Sequence, residues 1–585
     1  MKPSYVYDIE TEDWTTFVLG ALYDGKTVEV YDWTREREFA ERMLSLEGEV
    51  YAHNGGRFDH LWLLDAAYRF GIKRHATVME NSTGIIALNF GDLKFLDSYR
   101  LFPMSLRKLT NGAKDNLSDL CKCGRECGGY CAIRRNMPPT VKARVRDYLV
   151  TDVQSLWVAL DDFQRLSNEA GITLGLTIGG TSWKSAKAEL SLPPQPYANV
   201  NDWRFVRQGY FGGRVEIFRT QVDAGEQYDV NSMYPAKIAS VPLPVDYIGR
   251  VSGGSAGKAY RDGKPGVYRA KVRIPDSFIP PLPIRSPKKG RVLFPTGDIV
   301  GTWALPELQY AESIGVKVEY VSEAAIFART EILFDTWVER LFGLRMKYGK
   351  DSREGAWFKL ILNSITGKFG AKVTQRSYVI DPCFSKHCDL SDCRKIGPVG
   401  LQPCGNPATS RVWYREFERI QKCAHVEWAA YLTASARVTL HKGLTEGNKG
   451  DAIYCDTDSV FSVHPRKENV GLDLGQWKHE ASFSEFLAIA PKVYTYHRLV
   501  DGKDKQTIKA KGIPVPNPLP KNFWRDLMAG KPINYWSIAG IRNPVDGLFF
   551  IRRELSRHVN FNLGGRLRLT DTLTRAPTAR EVESF

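Results

Sequence analysis

The segment DAIYCDTDSVFSV, residues 451–463, places two aspartates inside an otherwise apolar stretch. Its composition predicts a β-strand, and side chains two positions apart in a strand share one face. Asp456 and Asp458 therefore form a predicted pair. Burying both carboxylates costs several kcal/mol unless they bind a metal ion or pair with cations. The segment predicts a metal-binding centre on a sheet.

Two segments nearer the N-terminus carry groups that suit the same chemistry. YDVNSMYP, residues 228–235, predicts the end of a strand followed by a helix, with Asp229 at the junction. KLILNSITGK, residues 359–368, predicts a helix on which Lys359 and Asn363 lie one turn apart on one face. A lysine and an amide in this arrangement are suited to triphosphate oxygens.

Another set of carboxylates lies near the start of the chain. Asp8 and Glu10 share one face of a predicted strand, and Asp59 begins a predicted helix. Tyr148 and Asp152 lie one turn apart on a further predicted helix. Each fragment alone also fits a pair of surface charges. As an ordered set, these groups can hold two Mg²⁺ or Mn²⁺ ions and orient a water toward a phosphodiester.

The bulk properties of the chain set the class of protein. It has 585 residues, with 81 Lys and Arg against 66 Asp and Glu, a formal net charge of +15. The length predicts several lobes, and the basic excess fits either a polyanionic partner or solubility alone. No apolar run reaches spanning length, the first residues lack a signal-peptide core, and the 10 cysteines are too few for a disulfide scaffold. We expect a reduced cytoplasmic protein without membrane contact.

In their order along the chain, residues 228–235, 359–368 and 454–459 resemble motifs A, B and C of family B DNA polymerases. The acids of the first 152 residues resemble the three motifs of DEDD proofreading exonucleases, in the tyrosine-bearing variant. The resemblance implies an α/β (α+β) multidomain fold. A ribonuclease H-like exonuclease lobe would precede a right-hand palm, fingers and thumb with two insertions. The implied enzyme is a DNA-directed DNA polymerase, a nucleotidyltransferase, with 3′–5′ exodeoxyribonuclease activity.

The resemblance also assigns catalytic roles, with two Mg²⁺ (or Mn²⁺) ions in each active site. The implied metal ligands of the polymerase site are Asp229, Val230, Asp456 and Asp458. The implied metal ligands of the nuclease site are Asp8, Glu10, Asp59 and Asp152. Tyr148 would orient the water that attacks the phosphodiester.

A further group of residues would bind the incoming nucleotide. The implied nucleotide-binding residues are Ser232, Met233, Tyr234, Lys359, Asn363 and Lys368. Tyr234 would stack under the sugar and exclude a 2′-OH, so the substrate would be a dNTP. Thr366 departs from motif B, which usually has a tyrosine there. That departure concerns the packing beside the nascent base pair and not the reaction class.

Additional segments resemble the protein-primed branch of the family, found in phages and linear plasmids. They include YFGG, residues 210–213, SLRKL, residues 105–109, and KVY, residues 492–494. Together with the nuclease motifs they imply DNA-binding roles for Asn54, Phe58, Ser105, Leu106, Tyr210, Gly212, Gly213, Thr433, Arg437, Lys492 and Tyr494. The implied partners are template-primer DNA, dNTPs and a terminal protein. The protein would replicate a linear genome by strand displacement, as a monomer or a heterodimer with the terminal protein.

Other functions remain open on the sequence alone. Within the family, the alternative is a polymerase that extends RNA or DNA primers. A 3′–5′ nuclease with an inactive polymerase half is a further alternative, against which the intact Asp456-Thr457-Asp458 argues. A non-catalytic DNA-binding factor would need only the net charge of +15.

The predicted organisation follows from motif positions and local patterns. Helices are predicted near residues 58–70, 141–163, 331–370 and 425–443, and a loop-rich β module near 250–300. The expected domains are an exonuclease (1–170), linker and palm (171–240), a terminal-protein-binding insertion (241–336), fingers (337–370), a second insertion for processivity and strand displacement (371–427), palm (428–530) and thumb (531–585).

Cysteines form two clusters with zinc-binding chemistry. One cluster is Cys121, Cys123, Cys127 and Cys131. The other is Cys383, His387, Cys388, Cys393 and Cys404. Thiolate and imidazole are zinc ligands, and loops with small cores gain stability from such sites. Neither cluster has the C-x₂-C spacing typical of zinc knuckles, so reduced loop cysteines are the alternative. We expect at most one cluster to hold metal, and the 383–404 cluster is favoured for its mixed set of His and Cys.

Overall fold

The structure is a computed structural model of the chain. It describes residues 3–12, 16–72, 76–81, 84–112, 116–121, 129–380, 402–403, 412–446, 451–513, 515, 519–520, 522–540, 550–557 and 563–585. Within these ranges, no helix has both the length and the apolar character needed to cross a bilayer.

The first part of the chain is a mixed sheet packed against helices. Its strands are β1 (Tyr5–Glu12), β2 (Thr16–Tyr23), β3 (Val28–Asp32), β4 (Glu49–Ala52), β5 (Ala76–Asn81), β6 (Gly84–Phe90) and β7 (Leu93–Asp97). Its helices are α1 (Glu36–Leu44), α2 (Asp59–Arg69), α3 (Leu106–Leu109) and α4 (Pro139–Glu169). β1 pairs antiparallel with β2 and parallel with β4, so it is central in the sheet.

Helix α4 confirms the helix predicted over 141–163 and extends it at both ends. It begins at Pro139, whose fixed φ and missing N–H suit a first helical turn. Buried residues recur along it at helical spacing, including Val145, Leu149 and Val153, and this face packs on β1 and β2. The packing fixes Tyr148 and Asp152 over the central strand.

The next part of the chain contains the junction of linker and palm. Its elements are α5 (Ile178–Glu189), α6 (Val200–Gln208), β8 (Val215–Ile217), β9 (Gln221–Val230) and α7 (Met233–Ser240). The strand-to-helix junction predicted around Asp229 is confirmed, because β9 ends at Val230 and α7 begins at Met233.

Residues 243–331 fold as an antiparallel sheet against which two helices pack. The elements are β10 (Leu243–Ser252), α8 (Gly253–Arg261), β11 (Gly266–Ile274), β12 (Ile284–Arg285), β13 (Val292–Leu293), β14 (Gly297–Ala304), α9 (Leu305–Ser313) and β15 (Lys317–Glu331). The strand order is β10-β15-β11-β14. The loop expected at residues 253–258 (GGSAGK) is wrong: it forms α8, because Ala256 and Ala259 are small enough to bury that helix against β15.

The remaining helices and strands lie between residues 335 and 575, in the regions predicted as fingers, second insertion, palm and thumb. They are α10 (Asp335–Tyr348), α11 (Arg353–Phe369), β16 (Thr374–Ile380), β17 (Gln402–Pro403), β18 (Val412–Glu418), α12 (Val426–Thr445), β19 (Ala452–Asp456), β20 (Ser459–Ser462), β21 (Trp477–Ala490), β22 (Val493–Val500), β23 (Lys503–Ala510), α13 (Phe523–Met528), β24 (Ile533–Gly540), β25 (Phe550–Arg557), β26 (Leu567–Arg568) and β27 (Thr574–Arg575). Helices α10, α11 and α12 confirm the helical predictions for 331–370 and 425–443.

A seven-stranded sheet has the order β23-β22-β21-β9-β20-β19-β8. We call it the palm sheet, after the palm predicted from the sequence. Its centre corrects one prediction. Residues 451–463 are a hairpin and not one strand: β19 ends at Asp456, the chain reverses, and β20 begins at Ser459. Thr457 has φ of +63°, the left-handed conformation that tight hairpin turns require. Asp456 therefore ends β19 and Asp458 lies in the turn itself, so the two residues do not share a strand face.

Two long-range connections join the lobes. β16, in the predicted second insertion, pairs with β18 and also with β5. The sheet of the first part, which we call the nuclease sheet after the sequence prediction, therefore has the order β17-β18-β16-β5-β6-β7-β4-β1-β2-β3. Residues 563–585 run back over the palm, where Thr574 N donates to Phe218 O at 3.0 Å and Thr220 N donates to Thr572 O at 2.8 Å. Residues 563–585, predicted from position to be part of the thumb, thus also contact the strands around Phe218 and Thr220.

Candidate active sites

Three aspartates converge where β9, β19 and β20 meet. In the β9–β20 ladder Asp229 lies opposite Ser459, and Val230 N donates to Asp458 O at 2.8 Å. Asp456 ends β19 directly before the turn. The strand pairing thus brings together residues that are more than 220 positions apart in the sequence.

Burial and neighbouring carboxylates raise the pKa values of Asp229 and Asp458. Burial, then Asp458 and Glu480, raise the pKa of Asp229 to about 7, while Lys359 and Lys478 oppose the rise. Burial and Asp456 raise the pKa of Asp458. Crowded, partly buried acids with raised pKa values are typical of sites that bind divalent cations through oxygen ligands. Among the described side chains, no three His, Cys, Asp or Glu are drawn together tightly enough to enclose one ion, so the donor chemistry and the repulsion carry the assignment.

Hydrogen bonds and one ion pair hold the turn at Thr457 and Asp458, which we call the catalytic turn after its predicted role. Lys492 Nζ lies 2.6 Å from Asp456 Oδ1, and the backbone N of Lys492 donates to the Tyr454 hydroxyl at 3.1 Å. Thr457 N donates to Arg214 O at 2.8 Å. A Cβ on Gly213 would lie 2.8 Å from Thr457 Cγ2, so the glycine permits this close approach.

The acids of the first part of the chain, which the sequence predicts to be nuclease residues, also lie close together. Ile9 N, between Asp8 and Glu10, donates to Asp59 Oδ1 at 3.2 Å, which fixes the start of α2 against β1. Burial, then Asp8, raise the pKa of Asp59 well above its usual range. Asp59 and Asp152 are 2% and 1% exposed.

Tyr148 belongs to the same group. Burial, then Asp152 and Glu10, raise the pKa of the Tyr148 hydroxyl. The hydroxyl oxygens of Tyr148 and Tyr130 are 3.4 Å apart. The structure therefore brings together the four acids and the tyrosine predicted from the sequence.

A cleft of about 560 Å³ opens over these acids. It is lined by Asp8, His53, Asn54, Arg57, Tyr99, Ser105, Leu106, Arg107, Asn116, Asp152 and Leu156. Asn54, Ser105 and Leu106, predicted to contact single-stranded DNA, thus share the cleft with two metal-ligand candidates, and Phe58 adjoins it before α2. The sequence reasoning missed Arg57 and Arg107, whose signal is a basic residue directly beside a motif position.

Comparison with known proteins matches this geometry. A family model described as DNA polymerase type B, organellar and viral, matches residues 132–382. A probable DNA polymerase from Ascobolus immersus is 29% identical over 85% of this chain and 45% of its own length. The DNA-directed DNA polymerase of Enterobacteria phage PRD1 is 26% identical over 79% of this chain and 75% of its own length.

The chain is thus similar to DNA polymerases of the organellar and viral type B family, through the family model over residues 132–382 and through relatives that match most of this chain.

The fold is similar to that of a solved DNA polymerase. Phi29 DNA polymerase, complexed with primer-template DNA and incoming nucleotide substrates, aligns with a TM-score of 0.71 at 17% identity, over 95% of this chain and 100% of that chain. The expected multidomain α/β fold is confirmed by this likeness. The chain spans about half the length of the fungal relatives from Ascobolus immersus and Neurospora intermedia, 45% and 57% respectively.

Among the residues predicted to bind the nucleotide, Lys359 and Asn363 lie on one exposed face of α11. The Lys359 charge acts on both Asp229 and Asp458, so this face is directed at the carboxylates. Lys368 lies elsewhere on α11, against Gly179, but lines a cleft of about 500 Å³ together with Asn363.

The strand–helix junction supplies the remaining nucleotide candidates. Tyr234 is half-buried, and burial raises its pKa to about 12. Ser232 has φ of +52°, and its hydroxyl accepts a hydrogen bond from Arg345 at 3.2 Å. The Met233 side chain is buried, so only its backbone can face a nucleotide.

Two predicted template contacts are corrected by burial. Arg437 is 2% exposed, and its guanidinium makes paired bonds of 2.7 and 2.6 Å to the Glu307 carboxylate. It also donates to Phe211 O and to Gly212 O, at 2.8 and 3.1 Å. Thr433 is buried with its hydroxyl bonded to Ala429 O. Neither offers a polar group to DNA; Arg437 instead supports the YFGG segment from behind.

The other predicted DNA contacts lie around the palm. Tyr210 is half-buried under the Arg207 guanidinium, 4.6 Å from its ring centre, and Gly212 faces open space. The Tyr494 ring is buried beside Tyr454. Lys492, with φ of +64°, is therefore the member of the KVY segment that reaches the carboxylates.

The cysteine clusters are only partly covered by the structure. Cys121 and Cys131 are described, and their sulfurs lie 3.8 Å apart. Cys123, Cys127 and the whole cluster of Cys383, His387, Cys388, Cys393 and Cys404 lie outside the described residues.

Proposed function

We propose that this protein is a DNA-directed DNA polymerase that extends template-primer DNA with dNTPs. The observation that carries the proposal is the convergence of Asp229, Asp456 and Asp458 at a strand junction faced by Lys359 of α11. Asp229, the Val230 carbonyl, Asp456 and Asp458 would hold two Mg²⁺ or Mn²⁺ ions. When bound, such ions would supply charge neutralisation and Lewis acidity at the reacting phosphate.

The protein's own groups then have distinct tasks. Lys359 and Asn363 bind triphosphate oxygens from the exposed face of α11. Tyr234 packs under the incoming sugar and excludes a 2′-OH. Lys492 holds the Asp456 carboxylate in place through its 2.6 Å ion pair. The arrangement provides positioning and electrostatic stabilisation, which are the main contributions to phosphoryl transfer.

We further propose 3′–5′ exonuclease activity in the first lobe. Asp8, Glu10, Asp59 and Asp152 would hold the ions there, and Tyr148 would orient the water. The cleft over Asp8 and Asp152 admits a single strand, and Arg57 and Arg107 on its walls attract phosphates.

One assay pair tests both activities. The first reaction supplies a labelled primer-template with dNTPs and Mg²⁺, and the second supplies a single-stranded 3′ end without dNTPs. We expect extension in the first and shortening in the second, both abolished by chelator. Shortening without extension would favour the nuclease with an inactive polymerase half. Binding without either reaction would favour the non-catalytic factor.

Strand displacement is the proposed role of the second insertion, expected over 371–427. Its strand β16 is hydrogen-bonded to β5 at Tyr378–Ile380 opposite Ala76–Val78, which ties the insertion to the nuclease lobe. Because the insertion follows the predicted fingers and is bonded to the nuclease lobe, it would enclose the template between these two parts. Extension through a blocking oligonucleotide tests this, and an enzyme that stops at the block would contradict it.

Protein priming is the proposed mode of initiation, with the insertion expected over 241–336 as the docking region. On the outer face of its sheet, Val300 and Tyr320 are 63% and 55% exposed and both lie opposite Lys271. An exposed apolar pair beside a charge suits a protein partner better than a DNA backbone.

The test is transfer of dNMP onto a hydroxyl of a small protein encoded beside this one. Val300→Ser combined with Tyr320→Ser should lower that transfer and spare extension of a DNA primer. Ile248→Ser, on an exposed residue of β10, is the matched control. If no such protein is nucleotidylated while DNA primers are extended, the RNA/DNA-primed alternative replaces this proposal.

We propose zinc at the cluster of Cys121, Cys123, Cys127 and Cys131. The 3.8 Å between the Cys121 and Cys131 sulfurs matches the edge of a tetrahedral zinc–thiolate centre with bonds of about 2.3 Å. Elemental analysis of protein purified without added metal should find zinc, and Cys131→Ser should lose it. Cys423→Ser, at a buried cysteine elsewhere, should keep it. Zinc retained by Cys131→Ser would assign the metal to the 383–404 cluster.

A further inference from the structure

Behind the polymerase carboxylates lies a buried charged triad of Arg214, Glu216 and Arg566. The three residues are 1%, 1% and 2% exposed. Arg214 Nε donates to Glu216 Oε2 at 2.5 Å, and Arg566 Nη1 lies 3.9 Å from Glu216 Oε1. Two buried cations share one anion, an arrangement that costs desolvation and gives little net stability. Its geometry therefore points to positioning.

Both arginines are fixed by further contacts. Arg214 Nη1 donates to Pro280 O at 2.8 Å, and its guanidinium stacks 4.0 Å from the Phe294 ring centre. Arg566 Nε donates to Thr574 Oγ1 at 2.7 Å, and its guanidinium lies 4.5 Å from the Phe218 ring centre. The triad thus has one defined arrangement.

The triad is attached to the catalytic hairpin through β8. In the β8–β19 ladder, Val215 lies opposite Asp456 and Glu216 opposite Cys455. The carbonyl of Arg214 accepts the hydrogen bond from Thr457 N in the catalytic turn. β8 is the last strand of the palm sheet, and such an edge strand leaves backbone groups unpaired unless another segment covers it.

Residues 563–574 cover that edge. Ile217 N donates to Leu563 O at 3.4 Å, and Thr574 N donates to Phe218 O at 3.0 Å. The Thr574 hydroxyl, which accepts from Arg566, donates to Ile217 O at 2.7 Å. A segment near the C-terminus is therefore bonded to the strand that borders Asp456.

We infer that residues 563–574 act as a strap that positions the catalytic hairpin, with Arg566 and Glu216 as positioning residues for nucleotide addition. The strap is hydrogen-bonded to β8, and β8 is in turn paired with Asp456 and bonded to Thr457 N. The triad has one more positive than negative charge, and it lies on the side of β8 away from the three carboxylates. The nuclease acids lie in another lobe and do not depend on it. The inference rests on the proposed polymerase activity.

The test uses the full chain with Arg566→Gln, Arg566→Lys and Thr574→Val, and with Arg580→Gln as a control at an exposed arginine near the C-terminus. Hydrogen exchange of residues 452–462 is measured first, without substrate. Steady-state nucleotide addition, its Mg²⁺ dependence and degradation of a single-stranded 3′ end are measured on the same preparations.

We expect Arg566→Gln to exchange the hairpin amides faster and to lower kcat by about tenfold or more, with a higher Mg²⁺ requirement and an unchanged nuclease rate. Arg566→Lys should recover part of the loss. Thr574→Val, which replaces only the hydroxyl with a methyl group, should show the same pattern more weakly. It serves as the test variant if Arg566→Gln does not fold. Arg580→Gln should match the parent.

Two results would overturn the inference. One is parental hairpin exchange and kcat in both Arg566→Gln and Thr574→Val. The other is an equal loss of nuclease and polymerase rates, which would mean general destabilisation. If the parent itself adds no nucleotide, the proposed function fails, whereas hairpin exchange in Arg566→Gln against Arg580→Gln still decides the strap.

Discussion

The nuclease and polymerase sites both collect carboxylates, but they are built in different parts of their lobes. The nuclease acids come from a central strand and two helices, and Asp59 and Asp152 are part of the lobe interior. The polymerase acids lie at strand ends around a turn and are half-buried. Asp456 also has an ammonium partner in Lys492, at 2.6 Å.

The difference separates two ways of keeping acids close together. In the nuclease lobe, packing of α2 and α4 on β1 holds them, so the site is as rigid as the core. In the palm, hydrogen bonds around Thr457 and the Lys492 ion pair hold them, so the site depends on a strand edge and a turn. Substitutions should therefore act on activity in the palm and on both activity and stability in the nuclease lobe.

The largest expected effect is loss of nucleotide addition in Asp229→Ala or Asp458→Ala. Removing a metal ligand should lower the rate by about a thousandfold, or ~4 kcal/mol. Degradation of single-stranded 3′ ends should survive, because the nuclease acids form a separate group. Asp223→Ala, at an exposed position of β9, is the control. Primer extension at the parental rate by either variant would refute the assignment.

Asp8→Ala combined with Glu10→Ala should do the converse. Degradation of mismatched or single-stranded 3′ ends should fall by about a thousandfold while extension persists. Glu47→Ala, an exposed acid of the same lobe, should leave both rates unchanged. Digestion by the double variant at the parental rate would show that the nuclease lies elsewhere.

Lys492→Ala probes the ion pair found in the palm. Loss of the ammonium leaves Asp456 and Asp458 to repel each other, so nucleotide addition should fall by about 10- to 100-fold and need more Mg²⁺. Lys492→Arg should recover part of the rate. Lys503→Ala, at an exposed lysine of β23, should resemble the parent. An unchanged Mg²⁺ requirement in Lys492→Ala would exclude this role.

Acid should destabilise the palm through His441. Burial lowers the pKa of His441 to about 4, and its ring bonds Tyr310 OH and Ile279 O, both at 2.8 Å. The unfolded chain binds this proton first, so stability is intact above about pH 6.5 and falls toward pH 4, by up to about 3 kcal/mol. Thermal melts across this range should decline less steeply for His441→Gln than for His464→Gln, an exposed control. Equal slopes would contradict the prediction.

The smallest expected effect is a gain in stability for Asp59→Asn. The amide keeps the acceptor for Ile9 N but removes a buried charge beside Asp8. In chelator, unfolding of the nuclease lobe should be about 1–2 kcal/mol less favourable, while nuclease activity is lost. Calorimetry with exposed Asp92→Asn as control measures the difference. A destabilised Asp59→Asn would mean that the ionised carboxylate supports the fold.

Local patterns predicted residues of both candidate sites. Asp8 and Glu10 were predicted on a strand and Asp59 at a helix start, and the structure places them on β1 and α2. Asp229 was predicted at a strand–helix junction, and the structure places it at the end of β9. The reason is that strand alternation and helical spacing are local properties of the sequence.

Other features depended on contacts that are distant in sequence. The apolar character of 451–463 favoured one strand, because nothing local shows that Thr457 adopts a positive φ. Arg437 has the side chain of a DNA contact, but its burial against Glu307 is set by residues 130 positions away. Arg566 lies in a segment without a motif, and its partner Glu216 is 350 positions earlier.

The pairing of β16 with β5 also has a consequence for synthesis of the protein. As the chain leaves the ribosome, β5 is synthesised about 300 residues before β16, the strand that later pairs with its outer edge. During that interval the edge exposes unpaired backbone groups, which are prone to pair with other nascent chains. Closure of that edge is a contact of very high sequence separation and is expected to be slow. Chaperone demand and aggregation during expression should therefore peak before residue 374 is translated and fall afterwards.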